Sequence, residues 1–445
     1  MKNTSLFVLS LFCLYSCTPA KQTARSARKT VIHNTVLSNA YIGISIYEPE
    51  KNKYWFNYNS NHYFVPASNV KIATCYAAMK YLGDSLPGIR YQLTDNNTVL
   101  IDPTGDPTLL HPDFKRQPVL EMLRNKRHIL INTENWAAQP LGSGWSWDDY
   151  NDSYMAERSA LPVYGNVVRF TKSDSAFKWD ESGKLTTRAV TATPAFFRDS
   201  IFMDSDLDPA TASFNLQRNK ESNGFRITTA GKEWTSQQIP FVTNGFLTAR
   251  KLLRDTLKND IRTSYYAVAH ARTIFSHPTD SVLKPMMHRS DNFLAEQLLL
   301  MVSNQALDKM SDAQIIDTLL KTDFKELPQK PRWVDGSGLS RYNLFSPEDF
   351  VFILNKMKIE FGMNRIKEIF PTGNEGSLAN YYVSDSAGIY AKTGSMSGIN
   401  SLSGFLYTKK GKLLIFSVII NNHNGSITEV RRAVEKFLQA IRNRH

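Results

Sequence analysis

Cysteine is scarce in this sequence: Cys13, Cys17 and Cys75 are the only three in 445 residues. So few exclude a disulfide framework. Nine histidines are present, but none forms a His-x-x-x-His pair or accompanies a cysteine pair. A catalytic zinc therefore has no ligand set, and no cofactor is expected. Beyond the first residues, no apolar run approaches the roughly 20 residues of a membrane helix. No dense run of Lys and Arg is interleaved with aromatic residues, which removes nucleic acid from the candidate partners. Internal repeats and low-complexity segments are also missing, so a solenoid is excluded.

What is present describes a folded, secreted protein. Hydrophobic residues make up 42% and charged residues 21%, the balance of a globular chain. The length implies two or three domains. The net charge of +12 either favours an anionic surface such as cell wall or lipid headgroups, or serves solubility alone. Lys2 precedes the apolar run Leu6 to Leu14, which is too short to span a bilayer and reads as a signal peptide. It ends in Leu14-Tyr15-Ser16-Cys17, similar to a lipobox cut before a cysteine that then carries lipid. An ordinary secretory cleavage near Ser16 or Ala20 is the alternative. The expected address is the periplasm or cell envelope, with lipid on Cys17 as the only membrane attachment. Residues 18–38 are polar, without apolar periodicity, and are expected to form a flexible tether.

Alternation predicts strands at Tyr41–Tyr47 and Tyr54–Tyr58, joined as a hairpin. Ser68 opens a run without Gly or Pro to Leu82, which predicts a mostly buried helix. Near the other end, strands are predicted at Gly388–Thr393, Ile399–Tyr407 and Leu413–Ile420. The last is almost continuously apolar, as expected of a strand covered on both faces. Thr428–Arg442 is an amphipathic helix. One antiparallel sheet made from both ends of the chain, with helices on its faces, gives an α+β fold. Between about 88 and 250, short alternating segments separated by turn residues predict a β-rich insertion.

Three motifs stand in order: Ser68-Asn69-Val70-Lys71, Ser290-Asp291-Asn292 and Lys392-Thr393-Gly394. Ser-x-x-Lys alone is uninformative, since it also occurs at Ser26, Ser175 and Ser281. Only Ser68 begins a long apolar helix. Positions i and i+3 share a helix face, so Lys71 can meet the Ser68 hydroxyl. Burial lowers a lysine's pKa, and a neutral Lys71 can take the proton of an attacking Ser68. The Ser68 N–H at the helix start is a natural oxyanion donor. Ser290 is a candidate proton relay and Asn292 a candidate orienter of substrate and Lys71, although Ser, Asp and Asn are also ordinary helix caps. Lys392 and Thr393 are candidates for holding a substrate carboxylate. Gly394 would admit the substrate backbone, and the N–H of Ser395 would be the second oxyanion donor. A strand at a sheet edge can pair with an extended peptide.

The ordered triplet resembles that of class A β-lactamases and penicillin-binding proteins. The interval from Ser68 to Ser290 is 222 residues, far longer than a compact β-lactamase uses. With Gly105-Asp106-Pro107-Thr108-Leu109, Gly144 to Tyr150, and Asp335-Gly336-Ser337-Gly338-Leu339-Ser340-Arg341, the chain resembles the D-alanyl-D-alanine carboxypeptidase/endopeptidase family, the class C low-molecular-mass penicillin-binding proteins. The first and last of these are also turns by composition. The resemblance implies a β-lactamase/transpeptidase-like domain at 39–88 and 251–445. It further implies an inserted domain at 89–165 and 236–250, and a third nested at 166–235. It implies acyl-enzyme chemistry on peptidoglycan stem peptides and acylation by β-lactams. It places Arg341 near the substrate and an Asp of the Trp-Asp-Asp stretch, Asp148, beside the amino group of the stem peptide. Met396, after the Lys-Thr-Gly strand, either lines an apolar pocket or packs in the core. Two other readings are a serine β-lactamase, for which no deacylating Glu-x-x-x-Asn loop is found, and a non-catalytic wall-binding lipoprotein, which would not need all of these side chains.

Overall fold

The segments predicted as strands at the two ends of the chain lie side by side. A computed structural model describes residues 19–95, 97–172, 181, 190–203, 215–228, 235–266, 268 and 271–445. The signal segment, Cys17 and Ser175 lie outside the described residues.

The described part of the chain opens on helix α1 (Pro19–Ala27), followed by a π-helical turn over Arg28–Ile32. Strands β1 (Tyr41–Glu48) and β2 (Lys53–Tyr58) form the expected hairpin, and helix α2 (Lys71–Tyr81) follows. The chain then builds β3 (Ser85–Leu93), β4 (Thr98–Pro103), α3 (Pro118–Arg124) and β5 (His128–Asn132). Short strands come next: β6 (Val167–Lys172), β7 (Val190–Thr193), β8 (Ile201–Met203), β9 (Asn215–Arg218), β10 (Phe225–Thr228) and β11 (Ser236–Pro240). After α4 (Leu247–Leu257), β12 (Asp260–Ser264) and β13 (Arg272–Pro278), helices α5 (Thr279–His288), α6 (Asn292–Leu307), α7 (Asp312–Lys321) and α8 (Pro347–Ile369) cover the first sheet. That sheet is completed by β14 (Ile389–Met396), β15 (Ile399–Tyr407) and β16 (Leu413–Asn421), and the chain closes on α9 (Ile427–Arg444).

The first sheet has the order β14-β15-β16-β1-β2 and is antiparallel throughout. Every residue of β16 is buried. Its side chains divide by the period of two: Ile415 and Ile419 join the core with α2, α5, α6 and α8, while Leu414, Phe416, Val418 and Ile420 join the core with α9. Helices on both faces account for the continuous apolar run. β14 lies at the edge, as a peptide-pairing strand requires.

The polar residues 19–38 form a packed cover and not a tether. Thr23, Ser26 and Ala27 are buried on one side of α1, and Ala27, Val31 and Leu37 belong to the core beneath α9. Arg444 Nη1 donates to Ser26 Oγ at 2.9 Å. The spacing 23, 26, 27 is helical, but its inward residues are small and partly polar, so apolar periodicity missed it.

The insertion contains a sheet of order β12-β5-β4-β3-β13, in which β5 is parallel to both β4 and β12. With α3 and α4 it is a mixed unit. Because β12 and β13 pair into it, the insertion runs to residue 278, and the expected boundary at 250 falls inside it. Two three-stranded sheets, β11-β6-β7 and β8-β10-β9, share its core.

Candidate active site

Residues Ala67–Val70 form a 3₁₀ turn that runs directly into α2. In a 3₁₀ turn, side chains at i and i+3 eclipse, which sets Lys71 over Ser68. Lys71 Nζ donates to Ser68 Oγ at 3.0 Å, Asn292 Oδ1 at 2.6 Å and the Ser337 carbonyl at 2.7 Å. Ala67 adopts φ +47°, a left-handed conformation that costs a non-glycine residue about 1–3 kcal/mol. The surroundings impose it. Ser401 Oγ donates to the Pro66 carbonyl at 2.7 Å, and Asn69 Nδ2 donates to Ser403 Oγ at 2.7 Å, tying the turn to β15. Gly394 also packs here: a Cβ on it would sit 2.7 Å from the Pro66 oxygen and 3.0 Å from the Ser68 nitrogen. The space that a Cβ at Gly394 would need is thus taken by the nucleophile turn.

The second motif divides its labour. Ser290 turns the chain between α5 and α6 at φ +59°. Asp291 caps α6, its Oδ1 accepting from the Leu294 N–H at 3.0 Å. Ser290 Oγ accepts from Lys392 Nζ at 2.8 Å, and Asn292 Nδ2 donates to the Tyr154 carbonyl at 3.0 Å. Capping and the cleft are served by different residues of one tripeptide.

Both lysines are fully buried. Loss of water pushes Lys71 down to about 8, against the opposing pull of Asp335, Glu296 and Asp291. Lys392 is driven well below its usual range by burial and by the positive charges of Lys71 and Arg431. Behind Lys71 lies a network that motif reading overlooked. Glu296 Oε1 accepts the Ser337 N–H at 2.7 Å, and the Ser337 carbonyl faces Lys71. Glu296 Oε2 pairs with buried Arg158 at 3.3 Å, and Arg158 pairs with Asp312 at 2.6 Å. Burial, with the Asp335 charge, raises Glu296 to about 7. Asp335 accepts from the N–H groups of Gly338 and Ser340, from Asn343 Nδ2 and from Trp145 Nε1. One signal could have found Glu296: it stands four residues after Asn292, on the same helical face.

These groups border a cleft of about 780 Å³ lined by Ser68, Ser290, Asn292, Arg341 and Met396, with Ser395 and Tyr154 beside them. Arg341 and Met396 line this cleft. Asp148 does not; it is exposed and bonded to Ser146, and Asp149 lines the cleft instead. The pair lies in the 3₁₀ turn Trp147–Asn151, where successive side chains diverge by about 120° and only one can face inward. Thr393 is buried and borders a separate small cavity with Asn400 and Arg431. Arg431, on α9, was not foreseen; its Nη2 donates to Ser395 Oγ at 3.0 Å. The Gly105-Asp106-Pro107 turn is structural: Gln297 Nε2 of α6 donates to the Gly105 carbonyl at 2.8 Å. Among the described residues, no group of three or more His, Cys, Asp or Glu side chains is arranged to hold a metal.

The model of the D-Ala-D-Ala carboxypeptidase 3 (S13) family matches residues 26–441. The chain belongs to this family. It is a serine-type D-Ala-D-Ala carboxypeptidase that acts on peptidoglycan, which places it in the cell envelope. Relatives within reach of S13 sequence comparison include the D-alanyl-D-alanine carboxypeptidase DacB of Haemophilus influenzae, 22% identical over 440 residues, covering 87% of this chain and 86% of that one. A D-alanyl-D-alanine carboxypeptidase of Actinomadura sp. is 24% identical over 471 residues, covering 93% and 85%. The S13 fold is shared with the crystal structure of penicillin binding protein 4 (dacB) from H. influenzae, with a TM-score of 0.70 at 19% identity over 94% of this chain and 97% of that one.

Proposed function

We propose that Ser68 is the nucleophile of this carboxypeptidase and Lys71 its general base, acting through an acyl-enzyme. The observation that carries the reading is the pairing of two buried amines with two hydroxyls at one cleft, Lys71 with Ser68 and Lys392 with Ser290. With a pKa of about 8, Lys71 is neutral in roughly a tenth of molecules at pH 7, enough to accept a proton. Neutral Lys71 takes the Ser68 proton as Oγ bonds to the carbonyl carbon of the penultimate D-Ala. The N–H groups of Ser68 and Ser395 receive the charge on the carbonyl oxygen. Ser290 relays the proton to the leaving amine as the C–N bond breaks, and water then hydrolyses the ester. Lys392 and Thr393 hold the terminal carboxylate, with Arg431 adding positive charge beside Ser395. Arg341, Met396 and Asp149 face the rest of the stem peptide. A β-lactam is attacked in the same way, but its amine stays tethered and the acyl-enzyme persists. The sheets between β3 and β13 are inserts in the peptidase domain, one nested in the other.

The test is acylation by labelled penicillin followed by peptide mapping. One adduct is expected, on Ser68. Its rate should rise about tenfold per pH unit below about pH 8 and level off above, because the deprotonated amine is the active form. An adduct elsewhere, or a flat profile between about pH 6 and 9, would overturn the assignment.

Lipid on Cys17 is the proposed anchor. Because α1 starts two residues later, anchored protein would sit close against the membrane and not on a leash. Cys17→Ser should move the protein from the membrane fraction to the soluble one; retention at the membrane would refute lipidation at this residue.

A further inference from the structure

Acidic residues are absent from three stretches of the sequence, 19–47, 386–428 and 436–445. The fold brings the three together. Arg444 Nη1 of α9 donates to Ser26 Oγ of α1 at 2.9 Å, and the Lys410 N–H of the β15–β16 turn donates to the His445 carbonyl at 2.9 Å. Helix α1 also packs on β2, whose Trp55 ring centre lies 5.5 Å from Lys412 Nζ. The buried side of α1 carries Thr23, Ser26 and Ala27. Lys21 and Arg25 are exposed on its other side, one turn apart, and Arg28 continues their row. Lys29, Lys53, Lys409 and Lys410 are exposed on the adjoining segments. The acids nearest in sequence are Glu48, which is buried, and Glu50, exposed in the turn before β2. The carboxypeptidase step described above uses none of these cations.

We propose that this basic face rests on anionic lipid headgroups and holds the catalytic cleft turned away from the membrane. The orientation rests on the reading of Cys17 as the lipid carrier; the charge complementarity does not. Two peptide steps separate Cys17 from Pro19, so their Cα atoms are at most about 7.6 Å apart. A lipid on Cys17 therefore brings the first turn of α1 within reach of the headgroup charge, which acts over about 8 Å at physiological salt. Each Lys or Arg at such a surface strengthens binding about fivefold.

The first sheet sets the catalytic cleft on the opposite side. Helix α1 lies at the β2 edge, while β14, with Lys392 to Met396, forms the other edge, four strand spacings or roughly 19 Å away. The two are also separated along the strands. Ser395 pairs with Asn400 near one end of β15, and the turn that carries Lys409 and Lys410 follows its other end, roughly 25 Å on. A protein lying on its basic face thus presents Ser68 to the wall and not to the lipid. Acyl chains alone would retain the protein but leave it free to tumble about its attachment. The charged face removes that freedom.

Sedimentation with vesicles tests the face apart from the lipid. Cys17→Ser protein, which carries no acyl chain there, is mixed with vesicles of phosphatidylglycerol and phosphatidylcholine, or of phosphatidylcholine alone. Binding is expected to the anionic vesicles only, and raising NaCl from about 0.1 to 0.5 M should release the protein. Adding Lys21→Glu, Lys29→Glu and Lys410→Glu together should weaken binding about 100-fold or more, with D-Ala release unchanged. Lys251→Glu, Lys325→Glu and Lys330→Glu together make the same change of net charge at exposed lysines on α4 and after α7. That control should weaken binding less than about tenfold, because its charges lie beyond the screening distance from the headgroups. Equal binding to both kinds of vesicle, equal losses in the two triple variants, or retention on purified peptidoglycan in place of vesicles would overturn the proposal. Failure of the anchor reading would look different: native protein would lack the acyl mass on Cys17, while acyl-free protein still bound anionic vesicles.

Discussion

Ser68→Ala is expected to reduce D-Ala release and penicillin acylation to background, a loss of at least about 10³-fold. Lys71→Met should cost nearly as much, and the double variant little more than either alone. The reason is that hydroxyl and amine act as one unit: without the nucleophile there is no proton for the amine to take. The two substitutions should differ in stability. Ser68→Ala leaves Lys71 with two acceptors, Asn292 and Ser337, whereas Lys71→Met strands both acceptors but also removes a fully buried amine. Thermal denaturation reads the second effect and acylation kinetics the first. Losses that multiply in the double variant would mean that the two residues act independently.

Gly338→Ala should be the most damaging added methyl group among the described glycines. Gly338 adopts φ +82°, and a Cβ there would fall on the Ala67 carbonyl and 3.1 Å from the Ser68 nitrogen. The obstacle is backbone that is itself held at a positive φ, so it cannot swing aside as a side chain would. A loss of about 3 kcal/mol or more is expected, with acylation falling in parallel as the Ser68 turn is displaced. Gly411→Ala is the control. It has nearly the same φ, +80°, but no atom within 4 Å of the added methyl, so it should cost only about 1–2 kcal/mol and leave acylation alone. Equal melting temperatures for the two variants would show that the overlap at Gly338 is unimportant.

The contrast explains why the loop from Asp335 to Arg341 matters. Its composition suggested a tight turn, and it is one, with Asp335 gathering two backbone N–H groups, Asn343 and Trp145. The turn also presses on the nucleophile, supplies the Ser337 carbonyl to Lys71 and reaches the cleft through Arg341. Structural and functional readings of the loop hold together, because the site is made of backbone as much as of side chains.

Much of the framework was legible in the sequence. Strands β1, β2 and β14 to β16 were predicted, from alternation in the N-terminal hairpin and from the almost continuous apolar run of β16, which is what burial on both faces leaves. The pairing of Ser68 with Lys71 was legible too, because i and i+3 are neighbours in any helical turn. Helix α1 was not, since Thr23, Ser26 and Ala27 bury without being strongly apolar. Nor was the choice of Asp149 over Asp148, which depends on how one short turn faces the cleft. The Glu296–Arg158 pair joins residues 138 apart, and no local pattern announces it.

By itself, the sequence determined the order of the three motifs, the strand and helix types that carry them, and the local contact of one hydroxyl with one amine. Those properties are recorded in residues a few positions apart. Only the tertiary structure decided that Lys71 meets Asn292 across 221 residues and that Lys392 meets Ser290 across 102. It alone removed water from both amines. Desolvation and long-range charge belong to the folded whole, and they set the proton affinity on which the Ser68 chemistry depends.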